Sequence, residues 1–342
     1  MSEVLIEAKG LAKHFSSRRA IFGRGPQSVV RAVDGIDLAI HAKETVGLVG
    51  ESGCGKSTTG RLFLRLIEAT HGAVLHKGTN LTTLDRAAMQ ARRRDLQIIF
   101  QDPFGSLNPR MSVGEIIGEP FAIHAIARGA GRTDRVMRLL ELVGLPKAAA
   151  ARYPHQFSGG QRQRIGIARA LALNPEFLVC DEAVSALDVS VQAQIINLLQ
   201  DLQQELGLTY LFISHNLSVV RHISNRVAVM YLGKIVELAE AEHLFAAPAH
   251  PYTRALLSAI PPSHPRALRH REILLGDVPS PAAIPPGCRF APRCRFAEDR
   301  CRSAEPPLAV QTDGRSVACH LVSDGTLAVL PRSTSIISGA PS

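Results

Sequence analysis

Long apolar runs are missing from this chain of 342 residues. None approaches the roughly 18 consecutive residues that a membrane helix needs, so no membrane-spanning segment is expected. The opening MSEVLIEAKG carries acidic residues and lacks a basic flank before a long apolar core, so no secretory leader is expected either. There is no tandem repeat, no long low-complexity segment and no sustained basic tract. Arg92 to Arg94 form only a short triplet, and no RNA-binding signature accompanies it. The net charge of +9 is therefore assigned to arginines scattered over solvated faces, and no nucleic-acid partner is expected. Cysteine is scarce, at six residues, yet Cys288, Cys294, Cys301 and Cys319 all fall in the last fifth of the chain. What remains is ordinary for a globular protein, with 46% hydrophobic and 20% charged residues, enough for one large domain and a smaller one. The segment from Pro331 to Ser342, rich in Ser, Pro and Gly, reads as a disordered tail.

The first informative segment is ETVGLVGESGCGKSTTGRLFLRL. Thr45 to Val49 is an apolar run suited to a buried strand, and from Thr58 the pattern turns helical, with Leu62, Leu66 and Ile67 spaced to face a core. Between them, Gly50, Glu51, Ser52, Gly53, Cys54, Gly55, Lys56 and Ser57 satisfy G-x-x-x-x-G-K-[ST] without a mismatch. Glycines let the backbone wrap closely so that successive N–H groups point at phosphate oxygens, and the following helix N-terminus adds a favourable field. Lys56 is expected on the β- and γ-phosphates and the Ser57 hydroxyl on Mg²⁺. Cys54 sits beside a helix N-terminus, where thiols become acidic, but no chemistry requires it and it reads as a permissible small residue.

A phosphate loop alone does not separate a kinase from a GTPase or a motor. Downstream, Leu178-Val179-Cys180 ends in Asp181-Glu182. A carboxylate there can hold Mg²⁺ beside the phosphates, and the second acid can orient and deprotonate an attacking water. Just before it runs FSGGQRQRIGIARAL. These residues resemble the ATP-binding-cassette ATPases, whose signature Ser-Gly-Gly-Gln is matched by Ser158, Gly159, Gly160 and Gln161. Gln101 matches the family's Q-loop, with a share in the Mg²⁺ site; Ser185-Ala186-Leu187-Asp188 matches its D-loop and His215 its switch histidine. Taken singly, Gln101 reads as a strand-end amide, Asp188 as the cap of a helix over Val189–Leu206, and His215 as a polar loop residue; five elements in the family's order and spacing reverse that reading. Phe157 where the signature often has Leu, and Ala183-Val184 where many members have Pro-Thr, depart from the pattern without removing a group that touches phosphate, metal or water. In the family an aromatic residue upstream of the loop stacks on adenine; Phe15 is the candidate, and the alternative for it is a strand aromatic facing the core.

The resemblance implies an α/β fold: a P-loop nucleotide-hydrolase cassette with a RecA-like core, an antiparallel β subdomain and a helical subdomain over about 105–157. The cassette is expected over 1–250 and a cysteine-containing extension over 251–330. Chromosome-organising cassettes insert a very long coiled coil between loop and signature; no sustained heptads occur here. The segment Gln101-Asp102-Pro103-Phe104-Gly105-Ser106-Leu107-Asn108-Pro109-Arg110, with GLVGESGCGKST and HPYTRALLSAIP, resembles the oligopeptide and dipeptide importer branch, closest to the second of its two usual ATPases. Relatives in that branch also carry nickel, glutathione or antimicrobial peptides. What this implies is an ATPase on the cytoplasmic face of the inner membrane, held there peripherally by two permease subunits. A second, related cassette (a heterodimer) and a periplasmic or extracellular solute-binding protein complete the expected assembly. A soluble cassette acting on nucleic acid or ribosomes, and a nucleotide-dependent redox sensor that hydrolyses poorly, are the readings from other classes.

A subunit that hydrolyses cytosolic ATP sits in a reducing compartment, which argues against disulfides for the C-terminal thiols. Gaps of five, six and seventeen residues are wider than the tight pairs of structural zinc and admit a bulkier iron–sulfur centre; spacing alone leaves zinc, cluster and unligated thiols open. Arg289, Arg293 and Arg295 beside them are expected to lower the thiol pKa values, and His320 is a possible substitute ligand. The importer branch also carries a similar extension, in which some members hold a [4Fe–4S] cluster, and that resemblance implies the cluster here.

Overall fold

The computed structural model describes residues 3–16, 29–102, 105–260, 274 and 276–329. The expected disordered tail from Pro331 to Ser342 and the Pro103-Phe104 pair lie outside the described residues. Two sheets organise the chain. The smaller is antiparallel, in the order β2 (Val29–His41), β1 (Val4–Ser16), β4 (His71–His76), β5 (Thr79–Asn80). The larger has eight strands in the order β11 (Ala309–Val310), β12 (Ser316–Val317), β10 (Lys234–Glu240), β9 (Arg226–Tyr231), β3 (Thr45–Val49), β8 (Thr209–Ile213), β7 (Phe177–Asp181), β6 (Leu96–Ile99). From β6 to β9 the pairing is parallel. Parallel strands covered on both faces read as unbroken apolar runs, and every residue of β3, β7 and β8 is buried.

Alternation along those strands divides the core in two. Val46 and Leu48, Phe177 and Val179, and Leu211 and Ile213 face the antiparallel sheet and α1 (Lys56–Phe63). Leu178, Cys180, Tyr210 and Phe212 face the opposite side. That side is covered by α3 (Val113–Ile123), α4 (Gly129–Leu142), α5 (Gly159–Leu171) and α6 (Val189–Leu206). The remaining helices are α2 (Arg86–Arg92), α7 (Leu217–Ile223), α8 (Ala241–Ala246), α9 (Pro251–Ser258), α10 (Asp299–Ser303) and α11 (His320–Ser323). The helix α3 starts on a capping box: the Ser112 hydroxyl accepts from the Glu115 amide at 3.3 Å, and the Glu115 carboxylate accepts from the Ser112 amide at 2.7 Å.

Two local expectations change. The helix after the phosphate loop stops at Phe63, because Arg65 turns left-handed (φ 47°) and the Leu66 amide closes the end on the Arg61 carbonyl at 2.8 Å. Leu62 is buried as expected, but Leu66 lies outside the helix and is 39% exposed. The C-terminal extension also joins the main sheet, since β12 pairs antiparallel with β10, Glu237 opposite Val317. Buried Glu237 ties the linker to this junction by accepting the Ala249 and His250 amides, each at 2.9 Å.

Candidate functional site

The central strand β3 leads straight into the phosphate loop, and its neighbour β8 and the next strand, β7, end on the same edge of the sheet. Ligands bind at this carboxyl edge where strand order reverses. Gly55 has φ 109°, and a Cβ there would lie 2.1 Å from the Ala32 carbonyl oxygen, so only glycine fits. Gly53 (φ 78°) faces open space, with nothing within 4 Å of a Cβ position. Lys56 is buried, its ammonium on the carbonyl oxygens of Gly50 at 2.9 Å and Glu51 at 3.0 Å. Cys54 is buried too, and burial raises its thiol pKa despite Lys56 nearby; the acidic thiol that a helix N-terminus favours is not realised.

Across the loop, the Ser57 hydroxyl donates to Asp181 Oδ1 at 2.7 Å. Asp181 is only 3% exposed, and burial raises its pKa while the Ser57 hydrogen bond and neighbouring cations pull the other way. A buried carboxylate short of positive charge beside a hydroxyl oxygen is the donor pair that suits a hard dication such as Mg²⁺. Glu182 follows in the left-handed region (φ 48°), held by its amide on the Ile213 carbonyl at 3.0 Å; for a non-glycine residue this costs on the order of 1 kcal/mol. The turn aims its carboxylate at two partners: the Gln101 amide donates to Glu182 Oε2 at 2.9 Å, and His215 Nδ1 stands 3.3 Å from the same oxygen. Gln101, Glu182 and His215, 114 positions apart from first to last in the sequence, thus meet at one oxygen. Ser185 Oγ donates to the Glu182 carbonyl at 2.9 Å, and Asp188 stands at the N-cap of α6 without a side-chain cap bond.

The Ser158 segment lies elsewhere on the chain's surface. Ser158 is the N-cap of α5, accepting from the Gln161 amide at 3.3 Å while the Gln161 side chain answers the Ser158 amide at 3.1 Å. Gly160 packs on α6, where a Cβ would meet Val191 Cγ1 at 2.4 Å. Phe15, at the end of β1, is 44% exposed, with the Lys13 ammonium 5.2 Å from its ring centroid. It is not a core-facing aromatic.

Cys288, Cys294, Cys301 and Cys319 line one pocket, together with His320 and Phe290. All are free thiols. Amides two residues on hydrogen-bond three of the sulfurs: Phe290 to Cys288, Phe296 to Cys294 and Leu321 to Cys319, where Val322 adds a further bond. Among the described residues no group of three or more His, Cys, Asp or Glu side chains is placed to hold a metal ion, so the side-chain arrangement does not support the expected ligand shell. The expected acidic thiols are corrected. Burial pushes Cys288 and Cys294 up to about 11 and raises Cys319, with the other thiols adding to it. Of the arginines meant to lower them, Arg295 still pulls Cys294 down against burial, but Arg289 and Arg293 are engaged elsewhere. Arg289, 5% exposed, pairs with Asp34 and donates to the Leu232 carbonyl. Arg293 grips Glu51 of the phosphate loop at 2.8 and 3.2 Å. Sequence reasoning missed Asp34, Glu51 and Tyr252, whose hydroxyl accepts the Glu51 amide at 2.9 Å. The available signal was an acid inside an anion-binding loop, which needs a cation beside it.

Comparison with known proteins gives the following. The family described as ABC transporter matches residues 33–185, and the oligopeptide/dipeptide transporter C-terminal region matches residues 236–301. The chain is similar to the probable peptide ABC transporter ATP-binding protein y4tS of Sinorhizobium fredii, 52% identical over 94% of this chain and 91% of that one. It is similar to the oligopeptide transport ATP-binding protein AppF of Bacillus subtilis, 50% identical over 94% and 98%. Among solved structures, the dimeric bacterial ABC transporter cassette MJ0796 superposes with a TM-score of 0.61 at 29% identity, covering 69% of this chain and 98% of that one.

Proposed function

This chain belongs to the ABC transporter family of ATP-binding subunits, and from that premise we propose that it hydrolyses ATP to power import of di- or oligopeptides through separate permease subunits. Its fold and enzyme class, an ABC cassette ATPase, follow from the family; the solute rests on the C-terminal match and on relatives named for peptide import. The observation that carries the reading is the convergence of Gln101 and His215 on Glu182, one residue from the Ser57–Asp181 pair.

In this reading the amides of Gly50 to Ser57 and the Lys56 ammonium hold the β- and γ-phosphates, Thr58 continues the cradle, and Phe15 stacks on adenine. Ser57, Asp181 and Gln101 would hold Mg²⁺, which neutralises charge on the phosphates. Glu182 takes the proton of the attacking water, while Gln101 and His215 orient its carboxylate. Ser158 Oγ already accepts from an amide, so its own proton is left for the γ-phosphate of a partner cassette, beside the α5 N-terminus. Ser158, Gly159, Gly160 and Gln161 therefore complete the partner's site, with Ser185 and Asp188 at the seam. Head-to-tail closure of two cassettes excludes water and reverses the pore; hydrolysis reopens it.

The partners proposed are a second related cassette, two permeases and a solute-binding protein, with this chain peripheral at the cytoplasmic face. No helix among the described residues is long and apolar enough to cross a membrane. The four C-terminal cysteines are the proposed seat of a thiophilic centre, a [4Fe–4S] cluster or in its place zinc, which would cross-link a segment with little core of its own. The shared pocket and the amide–sulfur hydrogen bonds support that reading, whereas the side-chain spacing does not. Iron, sulfide and zinc assays on anaerobically purified chain test it.

Reconstitution with its permeases in vesicles tests the transport reading. Peptide-stimulated ATP turnover and peptide uptake are expected. Uptake of nickel or glutathione but no peptide would reassign the solute. Salt-sensitive RNA or DNA association without any permease would overturn the transport reading.

A further inference from the structure

Glu51 is an anomaly: an acid in the second position of a loop built to hold triphosphate. Its carboxylate is claimed by a residue far along the chain. Arg293 donates Nη1 to Oε2 at 2.8 Å and Nη2 to Oε1 at 3.2 Å, a two-pronged pair on a side chain that is 8% exposed. Arg293 ends the short turn Ala291–Arg293, between Cys288 and Cys294. The turn is anchored by Phe290, whose ring lies 5.4 Å from that of Tyr231 and 5.5 Å from that of Tyr252. Tyr252 holds the same loop residue from its other side, accepting the Glu51 amide.

We infer that Arg293 is a positioning residue for the nucleotide: it neutralises and pins Glu51, so that the thiol-bearing segment sets the affinity of the phosphate loop for ATP. Two physical consequences follow from losing it. An unneutralised carboxylate in the loop repels the phosphates. The same carboxylate also competes for Lys56, which already donates to the Glu51 carbonyl oxygen. The inference rests on the nucleotide site proposed above.

The test is titration of full-length chain with a fluorescent ATP analogue and Mg²⁺, with the thermal midpoint of each nucleotide-free variant alongside. Arg293→Gln is expected to weaken ATP about five- to tenfold, a charge effect of ordinary size at this range. Arg293→Lys recovers most of the loss. The deciding variant is Arg293→Gln combined with Glu51→Gln, which removes the stranded charge and is expected to bind ATP within about threefold of wild type. A merely structural Arg293 would make the double variant no better than the single, and that outcome overturns the inference, as does unchanged affinity in Arg293→Gln. If Arg293→Gln does not fold, the double variant and Glu51→Gln decide alone, since a loss of about tenfold in both contradicts charge neutralisation. Failure of the wild-type chain to bind ATP would instead defeat the nucleotide site itself.

Discussion

The Ser57 hydroxyl donates to Asp181 Oδ1 across 2.7 Å, joining the first turn of α1 to the end of β7. Burial raises the pKa of Asp181, so protons compete with a metal ion for its carboxylate. Asp181→Asn is expected to lower Mg²⁺-dependent ATP affinity at least about tenfold. Because burial raises the pKa, wild-type Mg²⁺ affinity should fall more steeply than the variant's as pH is lowered from neutral. Mg²⁺ titrations of ATP binding at neutral and at acidic pH check this. A flat wild-type profile would remove Asp181 from the metal site.

Glu182 has the geometry of a base held ready, its carboxylate shared between Gln101 and His215. Glu182→Gln keeps the shape and the left-handed turn but cannot take a proton. Turnover in the assembled transporter is expected to fall on the order of 10²- to 10³-fold, with ATP binding retained. Steady-state ATPase assays and nucleotide-trapping measurements read both. Near-normal turnover would favour a different base. A chain that hydrolyses poorly before mutation would match the redox-sensor reading.

Much of this site was legible because its motifs are local. GESGCGKS, the Asp181-Glu182 strand end and Ser158-Gly159-Gly160-Gln161 each carry their geometry within a few residues, and the Val189–Leu206 helix after Asp188 begins and ends where the pattern places it. The apolar run of Thr45 to Val49 likewise announced the buried strand β3. Contacts between distant segments were not legible. Nothing near Arg289 or Arg293 in the sequence points to Asp34 or Glu51, some 250 residues earlier in the first case. Proximity to cysteines suggested the wrong partner for both arginines. The early end of α1 at Phe63 was hidden for a different reason: a left-handed arginine at position 65 has no composition signal.

The contact between Gly160 and Val191 makes the phosphate-facing end of α5 depend on α6. With 2.4 Å between a Cβ and a stiff, branched side chain, Gly160→Ala must displace one helix or the other. A cost of about 1–3 kcal/mol is expected, with loss of cooperative ATP turnover in the paired cassettes. Val191→Ala opens the space and should restore most of both. Denaturant unfolding and ATPase assays on the two single variants and the double variant check this. A double variant as unstable as Gly160→Ala would place the constraint elsewhere.

Asp34 joins three elements: it accepts from His14 Nε2 at 2.7 Å in β1 and pairs with buried Arg289 of the C-terminal segment. Burial by itself would raise its pKa, but the Arg289 and His14 hydrogen bonds outweigh that and hold it at about 2, against an ordinary 3.8. A carboxylate depressed in the folded state stabilises above its unfolded pKa, and that stability drains away as pH falls through the folded value. The contribution is therefore complete above about pH 5 and gone only below about pH 2. Asp34→Asn should cost at least about 1 kcal/mol at pH 7, after allowance for solvent screening at this partly open site. The gap between variant and wild type should then close as pH falls through about 2, because protonation of Asp34 leaves the wild type with the same neutral partner for Arg289. Urea unfolding of both proteins across that range measures the gap. A difference that stays constant with pH would mean that the Asp34–Arg289 clamp acts through shape rather than charge.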